Sequence, residues 1–292
     1  MTQIINAMSI DVEDYFHVSA FEKNVRRADW PRYESRVEAN TDRLLELFDA
    51  AGVRSTFFVL GWVAERCPGL VRRIARQQHE IACHSYAHQL VYEMTPVAFR
   101  EDLRRAKAAI EGAAGVRVVG YRAPSYSIVE RSRWALDILA EEGYRYDASI
   151  YPIRHDRYGI PDAPRHFHRI ASSLGPIWEV PGSTVRFRGV NLPVAGGGYF
   201  RILPYAWTRW GIRHLNEVES RPAVFYLHPW EIDPDQPRLR GSAVSRARHY
   251  FNLHRTEDRL RRLLDEFRFA PVVEALDAHE EASSCPRALV LS

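Results

Sequence analysis

The sequence predicts an α/β fold built on a parallel sheet that is open or closed into a barrel. Runs of β-forming residues alternate with amphipathic helical segments along most of the chain, which is typical of repeated βα units. A length of 292 residues suits one large α/β domain. Polar residues follow the apolar runs, and the carboxyl ends of parallel strands are where such folds carry their sites.

The first elements show this alternation most clearly. Residues 5–12 (INAMSIDV) are predicted as a strand that ends in acids, and 54–61 (RSTFFVLG) as the next strand. Between them, apolar residues at 44, 45, 47 and 48 and a stop at Gly52 predict a helix over 41–52.

The same reasoning extends along the chain, for example where Thr95 and Pro96 open a helix. The remaining predicted helices cover 69–77, 96–113, 130–142, 204–218 and 256–267, and the remaining predicted strands cover 79–84, 117–121, 144–147, 176–181, 222–228 and 270–274. Residues 150–203, rich in Pro, Gly and aromatics, are predicted to carry long loops at one rim, and residues after 276 to be peripheral.

Composition excludes several classes of protein. The chain is 46% hydrophobic and 26% charged, which is ordinary for a globular domain. The net charge is only +3 and the arginines are scattered among acids, so we expect no nucleic-acid partner. Cys67, Cys83 and Cys285 have no close spacing and are expected to be reduced thiols.

The start of the chain reaches acids by residue 11 and has no long apolar core, so no signal peptide is predicted. No stretch of about 18 apolar residues predicts a transmembrane segment. We therefore expect a cytoplasmic protein. The sequence leaves the oligomeric state open, and a homo-oligomer is compatible with it.

Reactive side chains fall where the predicted strands end. They are Asp11, Glu13 and Asp14 after the first strand, His84 and His88 after the third, Arg122 after the fourth, Asp147 after the fifth, and His228 at the end of AVFYLH. Each follows an apolar run that can hold it on a rigid element. This clustering predicts one site at the carboxyl edge of the sheet.

The stretch IACHSYAH places His84 and His88 four residues apart. Two imidazoles and one carboxylate can hold a metal ion while leaving positions open for water and substrate. The alternative is a pair of loop histidines that bond to the backbone. The acidic cluster at another strand end favours the metal site.

The stretch DVED holds three carboxylates within four residues, which repel one another unless a cation or an arginine compensates them. A solvated loop or a helix cap is the alternative. If the strand continues, Asp11 and Glu13 lie on one side, whereas a turn after Val12 presents Asp14 instead. Both Glu13 and Asp14 therefore remain candidate metal ligands.

Five segments together resemble the motif set of the NodB-type polysaccharide deacetylases, carbohydrate esterase family 4: SIDVEDYFHVSAF, HEIACHSYAHQL, GYRAPSYS, YRYDASIYP and FYLHPWEID. The segment GGGYFRILPY (196–205) is similar to the branch found with bacterial exopolysaccharide and exosortase gene clusters. The resemblance implies a distorted (β/α) barrel of about seven strands in one domain over 1–292. Its catalytic core would cover about 5–275, with a rim insertion at 150–203 and a tail at 276–292.

The resemblance also implies a role for each matching residue on the metal side of the site. Asp11 matches the catalytic base, and His84 and His88 match the metal-binding histidines. The family has its third ligand directly after the base, where this chain has Val12, so that role passes to Glu13 or Asp14.

On the other side of the site, Arg122 matches the arginine that pairs with the catalytic acid, and His228 matches the general acid. Asp147 resembles the acid that orients this histidine, and the backbone N–H of Ser125 matches an oxyanion donor. Gln78 stands where the family often has glycine, and we expect it to affect only a turn.

Zinc is the ion expected from the ligand types, and cobalt, nickel or iron would fit the same set. Aromatic rings near the predicted rim are candidate sugar contacts: Tyr126, Tyr151, Trp178, Tyr199, Phe200 and Trp230. Core packing is the alternative for each ring. His17 and His79 are predicted to be structural, because nothing in the sequence pairs with them.

These observations predict a metal-dependent hydrolase that removes acetyl groups from N-acetylhexosamine units of a bacterial (exo)polysaccharide or of its lipid-linked precursor. Because exopolysaccharides are finished outside the cytoplasm, membrane association through an assembly system is part of this expectation. The alternatives are a hydrolase of a small linear or cyclic amide and a carbohydrate-binding relic that has lost catalysis.

Overall fold

A curved sheet of parallel strands surrounds the centre of the molecule. The computed structural model describes residues 4–284. Its strands are β1 (Asn6–Val12), β2 (Thr56–Val59), β3 (Glu80–Cys83), β4 (Gly120–Tyr121), β5 (Tyr146–Asp147), β6 (His168–Ile170), β7 (Ile177–Glu179), β8 (Thr184–Phe187), β9 (Val190–Pro193), β10 (Val224–Leu227) and β11 (Phe269–Ala270).

The strand order is β10-β1-β2-β3-β4-β5-β7-β6. The run from β10 to β7 is parallel throughout, β6 is antiparallel at the edge, and β11 pairs with β1. Strands β8 and β9 form a separate hairpin. Over residues 4–284 the architecture is therefore a distorted barrel with seven consecutive parallel strands, and the predicted fold class is confirmed.

Helices cover the outside of this sheet. They are α1 (Val37–Ala51), α2 (Gly61–Arg66), α3 (Pro68–Arg76), α4 (Pro96–Ala114), α5 (Trp134–Glu141), α6 (Gly197–Ile202), α7 (Tyr205–Arg213), α8 (Ala243–Tyr250), α9 (Leu253–Glu266) and α10 (Val272–Ser284). The predicted helices correspond to α1, α3, α4, α5, α7 and α9, whereas the short helices α2, α6 and α8 were not predicted.

The two faces of β1 show why alternation positions the site. Met8 and Ile10 point outward into the main core, where Phe48 of α1 also packs. Ala7 points inward and packs with Phe58 of β2. Because side chains alternate along a strand, Asp11 lies on the inward face, at the carboxyl end of the barrel.

The amino end of the barrel is closed by α10. Val272, Ala275 and Leu276 are buried in the same inner cluster as Ala7. The predicted strand over 270–274 is wrong beyond Ala270, because Pro271 opens a helix whose apolar residues follow helical spacing. Residue 276 therefore lies in a packed helix, and the rest of the predicted tail, 285–292, lies outside the described residues.

The segment after β7 bridges the two ends of the parallel run. The Gly182 N–H donates to Ile150 O at 3.1 Å, and the Val224 N–H at the start of β10 donates to Ser183 Oγ at 2.6 Å. The predicted rim insertion at 150–203 is thus more than a set of loops, because it contains the barrel strand β7, the β8–β9 hairpin and α6.

Two further predictions concern cysteines and membranes. Cys67 and Cys83 are free thiols, and Cys285 lies outside the described residues. Within residues 4–284, no helix combines the length and the apolar character needed to cross a bilayer.

Candidate active site

The carboxyl end of the barrel holds a buried ion pair between Asp11 and Arg122. Arg122 Nη1 lies 2.7 Å from Asp11 Oδ1 and 2.8 Å from Ser9 Oγ, and Arg122 Nε donates to Ala148 O at 3.2 Å. The guanidinium also lies over the Phe58 ring, 4.1 Å from its centroid. Arg122 is 1% exposed, so these contacts orient one Asp11 oxygen and leave Oδ2 towards His228.

Beside this pair, Glu13, His84 and His88 form a cluster that could hold a metal ion, and they are called the metal-binding trio below. Each offers one ligand atom, the three atoms lie within 4.8 Å of one another, and all three residues are buried. His84 Nδ1 lies 2.8 Å from Arg122 O, so this nitrogen carries the hydrogen and Nε2 keeps its lone pair. A backbone carbonyl on the far ring nitrogen is the usual support of a histidine ligand.

The electrostatics of the trio suit a cation. Burial alone would raise the pKa of Glu13, but the nearby histidines His88 and His228 hold it well below its ordinary value. Burial lowers the pKa of His84 to about 4, which keeps the imidazole neutral. Glu13 Oε2 and His88 Nε2 lie 2.8 Å apart, yet Oε2 has no hydrogen-bond partner. An ion between them would satisfy this buried oxygen.

Asp14 does not join the trio, which corrects its prediction as a candidate ligand. Its Oδ2 accepts hydrogen bonds from Ser35 Oγ at 2.9 Å, from Arg36 N at 2.8 Å and from Val37 N at 3.1 Å. The turn after Val12 directs this carboxylate onto the free N–H groups at the start of α1. That cap also explains why α1 begins at Val37 and not at residue 41 as predicted.

His228 occupies the opposite flank of the trio. Its Nε2 lies 3.8 Å from Asp11 Oδ2 and 3.4 Å from Glu13 Oε1. Its Nδ1 lies 2.6 Å from Glu231 Oε1, and Glu231 also accepts from Arg201 Nε at 2.5 Å. Burial opposes the charge on the imidazole, but Glu13 and Glu231 together raise the pKa of His228 to about 9.

The prediction that Asp147 orients His228 is not what the geometry shows. Strand β5 points Asp147 away from the barrel interior, where it accepts from Ser149 Oγ at 2.5 Å and pairs with Glu179 of β7. Ser149 Oγ in turn accepts from Ala123 N at 2.7 Å. Asp147 therefore supports the loop after Arg122, and Glu231 holds the position that the sequence reasoning gave to Asp147.

That loop contains Ser125. Ser125 and Tyr126 both have positive φ, 53° and 52°, which is uncommon for residues with a side chain. Ser125 Oγ lies 2.8 Å from Ser19 Oγ, which ties the loop to the segment after β1. Gln78 also has a positive φ, 61°, which explains why glycine is frequent there in the family that the sequence resembles.

The predicted aromatic contacts fall into two groups. Tyr126 and Tyr151 pack in one buried cluster with Tyr226, and Tyr199 packs against it. Trp230 stacks on His228, with ring centroids 5.1 Å apart.

Trp178 and Phe200 pack outside this cluster. Trp178 Nε1 donates to Glu280 of α10 at 2.8 Å, on the amino-end side of the barrel. Phe200 packs on Phe225 in the main core, with ring centroids 4.9 Å apart. Trp178 as a sugar contact is therefore a prediction that the structure contradicts, because the rim is at the opposite end of its strand.

An open cleft of about 780 Å³ adjoins the His228 side of the site, and Tyr199, Tyr226 and Trp230 are among its lining residues.

Of the two histidines predicted to be structural, His79 Nδ1 accepts from Ser55 N at 3.1 Å. His17 Nδ1 accepts from Asp14 N at 2.9 Å, and burial lowers the pKa of His17 to about 3.

Glu231 is the functional residue that the sequence reasoning missed. It lies three residues after His228 in a 3-10 turn, where its carboxylate also accepts from the His228 backbone N–H at 3.1 Å. The sequence did contain a signal for Glu231. In a capping box, the residue that precedes a helical turn is followed three positions later by a glutamate that bonds back to it. The segment HPWE contains that spacing.

Two histidines and a carboxylate beside Asp11 and His228, at the carboxyl end of a distorted barrel, form an arrangement that metal-dependent hydrolases use. Comparison with known proteins is more specific. Residues 29–146 match the family model for polysaccharide deacetylase, and residues 148–277 match a domain of unknown function, DUF3473. Residues 29–146 are therefore similar to polysaccharide deacetylase domains. His228, Glu231 and most of the cleft lie within the segment that matches the second model.

The relatives support the same assignment. A peptidoglycan-N-acetylglucosamine deacetylase of Bacillus cereus is 30% identical over 98 residues, which is 33% of this chain and 36% of that protein. A chitooligosaccharide deacetylase of a Bradyrhizobium species is 28% identical over 100 residues, 34% of this chain and 43% of that protein. The matches thus span less than half of either relative.

The fold extends further than the sequence match. A crystal structure from Mycobacterium smegmatis, of a protein assigned to the polysaccharide deacetylases, superposes with a TM-score of 0.61 at 21% identity. It covers 98% of this chain and 95% of that one.

Proposed function

We propose that this protein hydrolyses the acetamide group of N-acetylhexosamine units in a bacterial exopolysaccharide or its lipid-linked precursor, with zinc as the bound ion. The observation that carries the proposal is the convergence of three features. Asp11 and His228 lie 3.8 Å apart, and His228 lies 3.4 Å from Glu13 of the metal-binding trio. Segments more than 200 residues apart thus supply a base, an acid and a cation site at one point.

The trio fits a divalent ion. It combines two imidazoles and a carboxylate with an unsatisfied buried oxygen on Glu13, and such a set suits zinc and leaves positions open. A bound ion would polarise the acetamide carbonyl and lower the pKa of a water molecule beside Asp11.

Asp11 is the proposed general base. Arg122 holds one of its oxygens, which leaves Oδ2 to accept a proton from the attacking water. The buried ion pair also keeps Asp11 from rotating away, since Ser9 and Ala148 anchor the same guanidinium.

His228 is the proposed general acid. An amine is a poor leaving group unless its nitrogen is protonated as the C–N bond breaks, so a group that carries a proton must face it. Glu231 accepts a hydrogen bond from His228 Nδ1 and stabilises the doubly protonated imidazole, whose Nε2–H is directed to the trio. The loop containing Ser125 lies next to Arg122, and we propose its backbone N–H as a donor to the oxyanion.

The size of the cleft favours a substrate larger than a small amide. A volume of about 780 Å³ next to His228 exceeds what a cyclic imide needs and falls in the range of ligand sites for larger molecules.

Acetate release tests the proposal. The zinc-loaded protein should release acetate from N-acetylated chitooligosaccharides. Asp11→Asn should lower kcat by about 10²- to 10⁴-fold while zinc stays bound in elemental analysis. The matched control is Asp265→Asn, on the exposed face of α9, which should keep full activity. A zinc-loaded protein that releases no acetate, or an Asp11→Asn variant as active as the control, would refute the proposal.

A further inference from the structure

We propose that the cleft beside His228 binds the aglycone of the substrate, and that this aglycone is a hydrocarbon chain joined to the sugar through phosphate. This proposal rests on the function proposed above and names its substrate class. It follows from where the cleft lies, from what lines it and from its charges.

The position of the cleft relates it to the leaving group. Tyr226 and Trp230 line the cleft and also flank His228, with ring centroids 5.8 Å and 5.1 Å from the imidazole. The nitrogen that His228 protonates belongs to the sugar, whereas the acetyl group is held at the trio. The sugar, and whatever is attached to it, therefore extends towards the cleft.

The lining of the cleft combines an apolar wall with Tyr, His, Ser and Arg side chains. Its wall includes Leu192, Ile202, Leu203, Trp207 and Val244. Among the described residues that line it, Asp156 is the sole carboxylate, and there is no Asn, Gln or Glu. Polar groups of those kinds give a ligand site its specificity for hydroxyl-rich molecules. The scarcity of carboxylates and amides beside this apolar wall favours an occupant with a hydrocarbon part.

The mouth of the cleft continues this apolar surface. Ile202 is 45% exposed and Val244 is 60% exposed, and both line the cleft. Large exposed aliphatic side chains next to one another mark a contact surface more often than single ones do. A chain longer than the cleft can run over this edge of α6 and α8.

Two arginines supply the second part of the chemistry. Arg157 and Arg248 line the cleft, and within residues 4–284 neither side chain has a carboxylate within the 4.0 Å of an ion pair. Arg157 Nη2 donates to Ser19 Oγ at 3.1 Å, next to the Ser125 loop. Arg201, by contrast, is neutralised by Glu231. Two guanidinium groups that lack a carboxylate partner among the described residues, placed between a sugar site and an apolar wall, suit a phosphate or diphosphate linkage.

A sugar phosphate has two common sources, a nucleotide and a lipid. A nucleobase presents hydrogen-bonding edges that need amide or carboxylate partners, which the described lining scarcely offers. The apolar wall and mouth therefore favour the lipid.

Three substrates with the same reacting sugar separate these cases. They are N-acetylglucosamine linked to farnesyl diphosphate, uridine diphosphate N-acetylglucosamine and N,N′-diacetylchitobiose, each assayed for acetate release with the zinc-loaded full chain. Each methylene buried is worth about fourfold in binding. We expect kcat/KM for the farnesyl substrate to exceed that for the other two by at least tenfold, mainly through KM.

Variants at the cleft test the assignment. Val244→Asp and Arg248→Gln should each lower the ratio of kcat/KM for the farnesyl substrate to that for diacetylchitobiose by at least fivefold. Val97→Asp, at an aliphatic residue 68% exposed on α4, and Arg246→Gln, on the same helix as Arg248 but outside the cleft, are the matched controls and should leave the ratio unchanged.

Each outcome bears on one proposal. Equal kcat/KM for the farnesyl substrate and diacetylchitobiose would overturn the inference and leave the deacetylase function standing. An equal gain for the uridine substrate would assign the cleft to a nucleotide and overturn the lipid. If no substrate releases acetate, the proposed function fails. The cleft is then judged by calorimetry with farnesyl diphosphate, where a Kd unchanged by Val244→Asp overturns the inference.

Discussion

Replacing Glu231 with glutamine tests whether Glu231, as the structure indicates, or Asp147, as the sequence predicted, orients His228. Glu231 Oε1 lies 2.6 Å from His228 Nδ1, and the carboxylate is fully buried. Glutamine keeps the size of the side chain but removes its charge, so it no longer stabilises a protonated imidazole. We expect a lower kcat with little change in KM, because Glu231 is fully buried and presents no surface to a substrate.

The magnitude follows from the hydrogen bond that is lost. A hydrogen bond to a charged group contributes about 1.5–3 kcal/mol, and each 1.36 kcal/mol in the barrier is about tenfold in rate. The expected loss in kcat is therefore about ten- to 150-fold. The change also leaves Arg201 without its carboxylate, and breaking a buried ion pair costs about 3–5 kcal/mol of folding free energy.

The assay therefore has two parts. Thermal unfolding first establishes a temperature at which Glu231→Gln is folded, and acetate release is measured there. Glu231→Asp, which keeps the charge, should recover part of the lost rate. Nitrogen-15 NMR of the His228 side chain then reports its protonation without depending on turnover, and the doubly protonated ring should be lost at a lower pH in Glu231→Gln than in the wild type.

Asp147→Asn is the comparison that decides the matter, because the sequence assigned the orienting role to Asp147. If Glu231→Gln kept its kcat within threefold of wild type and Asp147→Asn lost more than tenfold with an altered His228 signal, the contact at 2.6 Å would have no catalytic role. The structural assignment of Glu231 would then be refuted.

Three other results are expected. Glu13→Gln should weaken zinc binding, measured by competition with a chelating dye, by more than the about 10- to 100-fold that is typical when a residue supporting a ligand is replaced. Asp14→Asn should keep its affinity for zinc and lose about 1 kcal/mol of folding free energy, because Asp14 caps a helix. Burial raises the pKa of Asp147 to about 6. A carboxyl group with a raised pKa stabilises the folded state only while it is protonated. The contribution of Asp147 to the free energy of unfolding is therefore present below about pH 4 and is lost as the pH rises through about 6. Urea unfolding should therefore show a fall in stability over that range that Asp147→Asn flattens. Arg122→Met should lower the free energy of unfolding by about 3–5 kcal/mol in the same assay. The control Arg73→Met, in a half-exposed ion pair, should lower it by less than about 1 kcal/mol. Equal losses would contradict the buried ion pair of Arg122.

Local patterns were sufficient for most of the architecture. The period of two in β1 and the helical spacing in α1, α4 and α9 are properties of neighbouring residues, so they can be read without the fold. They predicted the parallel sheet and placed Asp11, His84 and His228 at strand ends. The short helices α2, α6 and α8 were missed because such elements are stabilised by tertiary packing more than by their own sequence.

The errors arose where distant segments compete for one position. Glu13 and Asp14 are adjacent in sequence, and only the placement of α1 against the turn after β1 directs Asp14 to the helix start. The residues after Pro271 were predicted as a strand. They form α10, in which Val272 and Leu276 lie on one face and are buried at the amino end of the barrel.

The order of reactive residues along the chain thus determined the kind of chemistry and the family resemblance. Which carboxylate faces the trio, which acid holds His228 and what borders the cleft were decided by the tertiary structure. The physical reason is that residue type and spacing act through the local backbone, whereas a hydrogen bond such as that between Glu231 and His228, or an ion pair such as that between Asp11 and Arg122, depends on where the barrel brings side chains together in space.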